Sequence, residues 1–244
     1  MDYSFLQCGE GALTVHLGDG IDPAINRRVT ALQGAIGSAG LRGITDLIPA
    51  YADLTVCYDC TVISAKALQR QLRRLLDSLS VAGQDRRRVF RLPVCYGGDY
   101  GPDLDFVCHH SGLSAQEVIE LHSAPDYLIY MLGFLPGFAY LGGLDPRLHT
   151  PRLDSPRTCI PAGSVGIGGA QTGVYPLASP GGWQLLGRTP VSVFDRQRQE
   201  PILYRAGDLV HFVPISSAEY EEIARAVAAG TYTVQVEEVP VCDW

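Results

Sequence analysis

The chain has 244 residues, of which 46% are hydrophobic and 18% are charged. This length and composition fit one large globular domain or two modest ones with a sizeable core. The formal net charge of −7 argues against a general nucleic-acid binder, which would present a basic face. The sequence has no run of 18 apolar residues, so we expect no membrane-spanning segment.

Seven cysteines are scattered along the chain. The first residues lack a basic stretch followed by an apolar one, so no secretory signal is expected. An odd number of cysteines without such a signal indicates reduced thiols and a cytoplasmic location. Cys57 and Cys60 form an isolated C-x-x-C, and no second pair follows at zinc-ligand spacing. We therefore expect packing cysteines and no metal site.

Residues 1–84 alternate between strand and helix patterns. Alternating apolar residues over 13–17 predict a strand, and Asp22-Pro23 is typical of a helix start. Two further strands, at 44–48 and 54–58, precede a second helix that begins near Ser64. The order strand, helix, strand, strand, helix predicts a small α+β sandwich, with helices on one face of an antiparallel sheet.

The polar segment 83–88 is expected to link this domain to a second one over 89–215, and its three arginines to form a solvated face. The second domain has two short helical patterns and several short strand patterns with turn signals between them, which predict a barrel or sandwich. The expected strands are 89–94, 126–132, 191–194, 202–204 and 209–213. Residues 216–244 predict a helix, begun by a capping box at Ser216, and a strand over 231–236.

The segment 133–187 is rich in glycine and proline but also contains Phe134, Phe138 and Tyr140, which a disordered segment would lack. Ordered loops of this length are usually functional. The aromatic, glycine and proline residues make either a rigid pocket wall or a packed turn. The expected wall residues are Phe134, Pro136, Phe138, Tyr140, Gly163 and Gly168.

Pro151-Arg152 and Pro156-Arg157 repeat a Pro-Arg unit five residues apart. Two guanidinium groups on one ordered loop would bind a carboxylate or a phosphate. The alternative is a structural ion pair in which Asp154 holds one of the arginines.

Residues 161–169 are glycine-rich, but the lysine and Ser/Thr of a P-loop are missing. Backbone N–H groups exposed in such a segment could still bind an oxyanion. The neutral hydrogen-bonding residues Gln171, Thr172 and Tyr175 follow, and then Trp183. Such groups suit recognition of a small polar amide, although Trp183 fits a packing role equally well.

Acid–base chemistry has four candidate residues, His122, His149, Asp145 and Asp154, and no two of them have a diagnostic spacing. The adjacent His109 and His110 are expected at the surface or in the core, because vicinal side chains diverge on a helix. The sequence contains no H-E-x-x-H, no G-x-S-x-G and no recognisable catalytic triad, so a self-contained hydrolase is not indicated.

The run FLPGFAYLGGLDPRLHTPRLDSPRTCIPAGSVGIGGAQTGVYPLASPGGWQLLGRTP resembles the signature of the 5-oxoprolinase B-subunit family, also called the KipI or allophanate hydrolase subunit 1 family. The upstream YGGDYGPDL fits the same family. The resemblance implies a small N-terminal α+β domain and a cyclophilin-like β-barrel. It also implies two partners, a C-subunit homologue of the allophanate hydrolase subunit 2 family and an A-subunit homologue. The implied activity is ATP-dependent hydrolysis of 5-oxoproline to L-glutamate, with ATP bound either by this chain or by one of its partners.

On this resemblance, we expect Arg152 and Arg157 to hold the substrate carboxylate or a phosphate, and Gln171 and Tyr175 to bind the amide. His122 is the expected proton-transfer group. Three further residues of the segment are expected to bind substrate, namely Thr172, Trp183 and Arg188. The alternatives are an inhibitor of a sporulation histidine kinase, as KipI is, and a carboxyltransferase-like protein that acts on urea or another amide.

Overall fold

The computed structural model describes residues 3–79 and 86–240. These residues form two compact units that meet in sequence between 79 and 86. Each unit has its own hydrophobic core. No helix in the described ranges is both long enough and apolar enough to cross a membrane.

The first unit is a two-layer α+β sandwich. Its elements are β1 Ser4–Cys8, β2 Ala12–His16, α1 Pro23–Ala39, β3 Ile44–Pro49, β4 Asp53–Tyr58 and α2 Ala65–Asp77. The strands form an antiparallel sheet in the order β1-β2-β4-β3. Apolar residues of β2 and β4 pack against the apolar sides of α1 and α2. The predicted sandwich is confirmed. β1 was not predicted, because most of its side chains are exposed and do not alternate in hydrophobicity.

The second unit is built on an eight-stranded sheet with three α-helices among its described residues. Its elements are β5 Arg86–Tyr96, α3 Leu104–Ser111, α4 Ala115–Ser123, β6 Asp126–Leu132, β7 Ala139–Gly142, β8 Arg157–Ile160, β9 Ser164–Gly168, β10 Gln171–Val174, β11 Ser179–Gly181, β12 Gln184–Arg188, β13 Leu209–Ile215, α5 Ser217–Ala228 and β14 Gln235–Pro240. β8 and β11 form a separate two-stranded ribbon.

Within residues 86–240, seven strands close into a barrel in the order β12-β9-β10-β7-β6-β13-β5. The ring closes where the end of β5, at Cys95 and Tyr96, pairs with β12. The beginning of β5 has β14 on that same edge, so β14 lies outside the ring. β5 can pair with β14 at its beginning and with β12 at its end because it is eleven residues long. The expected α+β class with a β-barrel is confirmed.

The segment expected to link the domains belongs in part to the barrel. Residues 83–85 lie outside the described ranges, whereas Arg86, Arg87 and Arg88 open β5. Arg88 also forms an ion pair that was not expected, because its Nε and Nη2 donate to both carboxylate oxygens of Asp208 at 3.0 and 2.6 Å. A local pattern of three arginines does not reveal a partner 120 residues away.

Two predicted strands of the second unit are not strands. Residues 191–194 and 202–204 are joined by the isolated bridge Phe194–Ile202 and otherwise form loop. The last strand begins at Gln235 and not at Thr231, and it pairs with β5. β14 is therefore part of the eight-stranded sheet. The observed strands differ from the predicted ones because a run of apolar residues indicates that a segment is buried, but it does not show which segment it hydrogen-bonds to.

Candidate functional site

A pocket of 390 Å³ opens in the second unit, at the turn between β6 and β7 and at the β8–β11 ribbon. Its lining is aromatic, glycine and proline, with one arginine. The lining residues are Phe134, Phe138, Tyr140, Arg152, Pro156, Tyr175, Pro180, Gly181, Gly182 and Trp183. All of them come from the glycine- and proline-rich segment. The structure thus brings Phe134, Phe138, Tyr140, Arg152, Tyr175 and Trp183 to one place.

Phe138 is the centre of the aromatic wall. Its ring makes edge contacts with Tyr140, Tyr175 and Trp183 at centroid distances of 5.2, 5.4 and 5.5 Å. Edge-to-face packing of this kind is favourable because the positive ring edge meets the negative ring face. Phe134 stands at the mouth of the pocket, 64% exposed, with a φ of 60° that non-glycine residues seldom adopt. An exposed aromatic ring held by a strained backbone is typical of a functional loop.

Glycines make room for the aromatic wall. A Cβ on Gly168 would lie 2.3 Å from the indole Nε1 of Trp183, and one on Gly181 would lie 2.6 Å from the Tyr175 hydroxyl. Gly168 therefore packs directly against the Trp183 indole and does not line the pocket. Gly163 also lies elsewhere, in a smaller cleft of 170 Å³ that it shares with Arg188 and Tyr220. Pro136 is exposed and does not line either cavity.

Arg152 carries the only charge among the described lining residues. Its guanidinium lies 6.0 Å from the centre of the Trp183 ring, within reach of a cation–π interaction. Its Nη2 makes a long contact of 3.5 Å with the side-chain oxygen of Gln171. Gln171 contacts Arg152 but does not line the pocket.

Arg157 makes a structural ion pair. Its Nη2 donates to Asp103 Oδ1 at 2.6 Å, and its Nη1 donates to the carbonyl oxygen of Trp183 at 3.3 Å. The alternative of an ion pair therefore describes Arg157, but its partner is Asp103 and not the exposed Asp154. Asp103 was not among the residues predicted from the sequence. Its signal was its place in the YGGDYGPDL motif, just before α3.

His122 lies in the barrel core and is 0% exposed. Thr172 Oγ1 donates its proton to the Gly166 carbonyl oxygen, so it accepts from His122 Nε2–H at 2.8 Å. The other ring nitrogen, Nδ1, then accepts from the Tyr96 hydroxyl at 2.8 Å. Burial lowers the pKa of His122 to about 3. A neutral, fully bonded imidazole away from the pocket argues against the expected proton-transfer role, and it places Thr172 in the core as well.

The remaining acid–base candidates lie outside the pocket lining. Arg147 hydrogen-bonds Asp145 and lowers the pKa of that carboxyl to about 2. His149 is exposed, as are His109 and His110. Arg188 donates through Nε to the Ala162 carbonyl oxygen at the separate cleft. Across residues 3–79 and 86–240, no group of three or more His, Cys, Asp or Glu side chains is placed to hold a metal ion.

The chemistry available in the pocket is binding. Among its described lining residues, the polar side-chain groups are the Arg152 guanidinium, the phenols of Tyr140 and Tyr175 and the indole N–H of Trp183. Burial raises the pKa of Tyr175, so this phenol stays protonated at neutral pH and can donate a hydrogen bond. The described lining has no carboxylate, imidazole or thiol that could act as a base or nucleophile.

Comparison with known proteins gives consistent results. Residues 3–204 match the family described as carboxyltransferase domain, subdomain C and D. The 5-oxoprolinase B-subunit of Bacillus subtilis (strain 168) is 42% identical over 89% of this chain and 95% of that protein. A crystal structure of the protein TTHA0988 is 40% identical with a TM-score of 0.74, covering 84% of this chain and 40% of that longer chain.

The urea carboxylase of Kluyveromyces lactis shares the fold, with a TM-score of 0.83 at 23% identity over 97% of this chain and 24% of that one. The family match includes the first unit and every described lining residue of the pocket. The chain is a member of the carboxyltransferase subdomain C and D family, and it is similar to the B-subunit of 5-oxoprolinase over almost all of that protein's length.

Proposed function

We propose that this chain is the B-subunit of an ATP-dependent 5-oxoprolinase, which opens 5-oxo-L-proline to L-glutamate together with A-subunit and C-subunit homologues. The observation that carries the proposal is the 42% identity to the Bacillus subtilis protein over 95% of its length. The pocket supports it, because a single cation beside aromatic walls suits a small cyclic carboxylate.

In this proposal the Arg152 guanidinium binds the carboxylate of 5-oxoproline. The Nη atoms of an exposed arginine can form paired hydrogen bonds with both carboxylate oxygens. The apolar edge of the five-membered ring lies against Trp183 and Phe138. The Tyr175 hydroxyl donates to the lactam carbonyl oxygen, which is the atom that must be activated.

The lactam is resonance-stabilised, and coupling to ATP makes its opening favourable. The proposed route transfers the γ-phosphoryl group of ATP to the lactam carbonyl oxygen. Water then attacks that carbon, and the C–N bond breaks as the nitrogen takes up a proton, which leaves γ-glutamyl phosphate. A second water hydrolyses this acyl phosphate to L-glutamate and inorganic phosphate. The pocket has one cation among its described lining residues and the sequence has no P-loop, so it does not fit a triphosphate. We assign the ATP site and the acid–base groups to a partner protein within a cytoplasmic complex.

The test is glutamate release from 5-oxoproline and ATP by this chain purified with its A-subunit and C-subunit homologues. Arg152→Ala is expected to raise KM by about tenfold or more, since it removes a charge-assisted hydrogen bond. Arg152→Lys should recover part of that loss. Arg205→Ala is the control, because Arg205 pairs with Glu200 at the surface and does not line the pocket.

Activity that requires this chain but tolerates Arg152→Ala would place the substrate elsewhere. An absence of glutamate release from the folded, complete complex would contradict the 5-oxoprolinase proposal itself. Urea and histidine kinase assays on the same preparation would then decide between the other family activities.

A further inference from the structure

Asp103 stands where a helix N-cap is expected, but its carboxylate does not cap α3. Instead, Oδ2 accepts from the Leu185 backbone N–H at 2.7 Å, and Oδ1 accepts from Arg157 Nη2 at 2.6 Å. The residue is only 9% exposed and does not line the pocket. A buried carboxylate that gives up a helix cap for two other partners has a role at those partners.

Both partners lead to Trp183. Arg157, held by Asp103, donates from its other nitrogen to the Trp183 carbonyl oxygen at 3.3 Å. Leu185, the second contact of the carboxylate, lies two residues after Trp183. The ion pair thus holds the backbone at Trp183 and at Leu185. In this way the ion pair determines the position of the backbone from which the Trp183 side chain projects.

The indole has little freedom beyond that backbone position. It is 4% exposed, and the Cα atoms of Gly168 and Gly173 leave just enough space for it, since an added Cβ would lie 2.3 and 3.2 Å from its atoms. A small shift of the Trp183 backbone would move the ring against these glycines or out into the pocket. The position of the wall therefore depends on the ion pair behind it.

We propose that Asp103 is a positioning residue of the pocket. Acting through Arg157, it fixes Trp183 and thereby sets the affinity for the pocket's ligand without touching that ligand. The kinetic part of this inference rests on the proposed function, because it takes 5-oxoproline as the ligand.

The chain offers a direct optical readout. Its two tryptophans are Trp183 and Trp244, so Trp244→Phe leaves Trp183 as the single indole. In that background, Asp103→Asn is expected to shift Trp183 emission to longer wavelength and to increase its quenching by acrylamide. In the assembled complex the same change should raise KM for 5-oxoproline about tenfold and change kcat by less than about threefold.

Asp208→Asn is the matched control. Asp208 is 8% exposed, and like Asp103 it shares its carboxylate between an arginine, Arg88, and a backbone N–H, that of Arg205. It does not line the pocket. Both substitutions are expected to lower the denaturant midpoint, whereas only Asp103→Asn should change Trp183 emission and KM. Equal effects of the two substitutions on emission and KM would overturn the proposal.

Arg157→Lys is the second variant, in case Asp103→Asn does not fold. Lysine keeps a charge opposite Asp103 but lacks the planar guanidinium fork, so it does not reproduce the paired geometry towards Asp103 and the Trp183 carbonyl oxygen. If Asp103 acts through Arg157, the double variant should have the KM of one single variant and not the product of both effects. Multiplying effects would overturn it. The emission readout needs no substrate, so it decides the inference even if the complex fails to open 5-oxoproline.

Discussion

Gly168 and Gly173 leave space for the Trp183 indole on the barrel wall, and the aromatic pocket depends on that space. An alanine Cβ at Gly168 would lie 2.3 Å from the indole Nε1, far inside contact distance, and the buried ring would have to move. We expect Gly168→Ala to lower the free energy of unfolding by about 1–3 kcal/mol, as overpacking does, and to reduce ligand affinity. Urea denaturation followed by circular dichroism measures the first effect.

Gly133→Ala is the control for this substitution. A Cβ at Gly133 would meet Tyr140 at 3.5 Å, an ordinary contact, although the residue is next to the lining residue Phe134. A loss of stability in Gly133→Ala as large as that in Gly168→Ala would contradict the explanation by close approach of the indole.

His122 predicts a pH dependence of stability. Its pKa in the folded protein is lowered to about 3 by burial, below the ordinary value of 6.5. Above pH 6.5 His122 is neutral in both the folded and the unfolded chain, so its contribution to the free energy of unfolding is fully present there. As the pH falls from 6.5 towards 3, only the unfolded chain gains the proton, and stability is lost at up to about 1.4 kcal/mol per pH unit.

The measurement is the free energy of unfolding between pH 7.5 and pH 4.5, in the native chain and in His122→Gln. The variant should be less stable at pH 7.5, because it loses part of the bonding to Tyr96 and Thr172. Its dependence on pH should also be flatter. An equally steep slope in the variant would show that other groups cause the acid sensitivity.

At the scale of single elements, α1 shows how its ends are determined locally. Asp22 Oδ1 accepts from the Ala24 N–H at 2.6 Å, Pro23 opens the helix, and Gly40 ends it in the left-handed region with φ 56°. Gly34 is exposed inside the helix, and a Cβ there would meet nothing within 4 Å. We expect Gly34→Ala to stabilise the protein by about 0.5–1 kcal/mol, because it reduces the freedom of the unfolded chain.

Gly40→Ala is the comparison variant, for which we expect a change in stability of the opposite sign. The left-handed backbone at Gly40 disfavours a side chain, so this substitution should destabilise by about 1 kcal/mol. Thermal unfolding of the two variants beside the native chain checks both signs. A destabilising effect of Gly34→Ala would contradict the explanation by reduced freedom of the unfolded chain.

At the scale of the whole molecule, each unit has a hydrophobic core of its own. The barrel closes between β5 and β12, both within residues 86–240. We therefore expect a fragment of residues 86–244 to fold by itself, with cooperative thermal unfolding and dispersed amide resonances. A fragment of residues 1–85 should do the same, since its sheet and both helices are complete. A fragment that is soluble only in the presence of the other would contradict this expectation.

Much of the fold could be predicted, because the signals that specify it are local. Serines at Ser64 and Ser216 marked the starts of α2 and α5. The pocket was predictable in its aromatic half for the same reason, as Phe134, Phe138 and Tyr140 lie within seven residues of each other. Strand partners were harder, because pairing joins segments that are distant in sequence.

By itself, the sequence determined the family, the α+β class and the segment that builds the pocket, because each can be recognised from residues that are close together in the sequence. The roles of the polar side chains were decided only by the tertiary structure. Arg157 binds Asp103, 54 residues earlier, and so differs from Arg152, which remains at the pocket. His122 is buried against Thr172, 50 residues later. A charged or polar group acquires its role from its partners and its access to solvent, and folding alone brings those partners together.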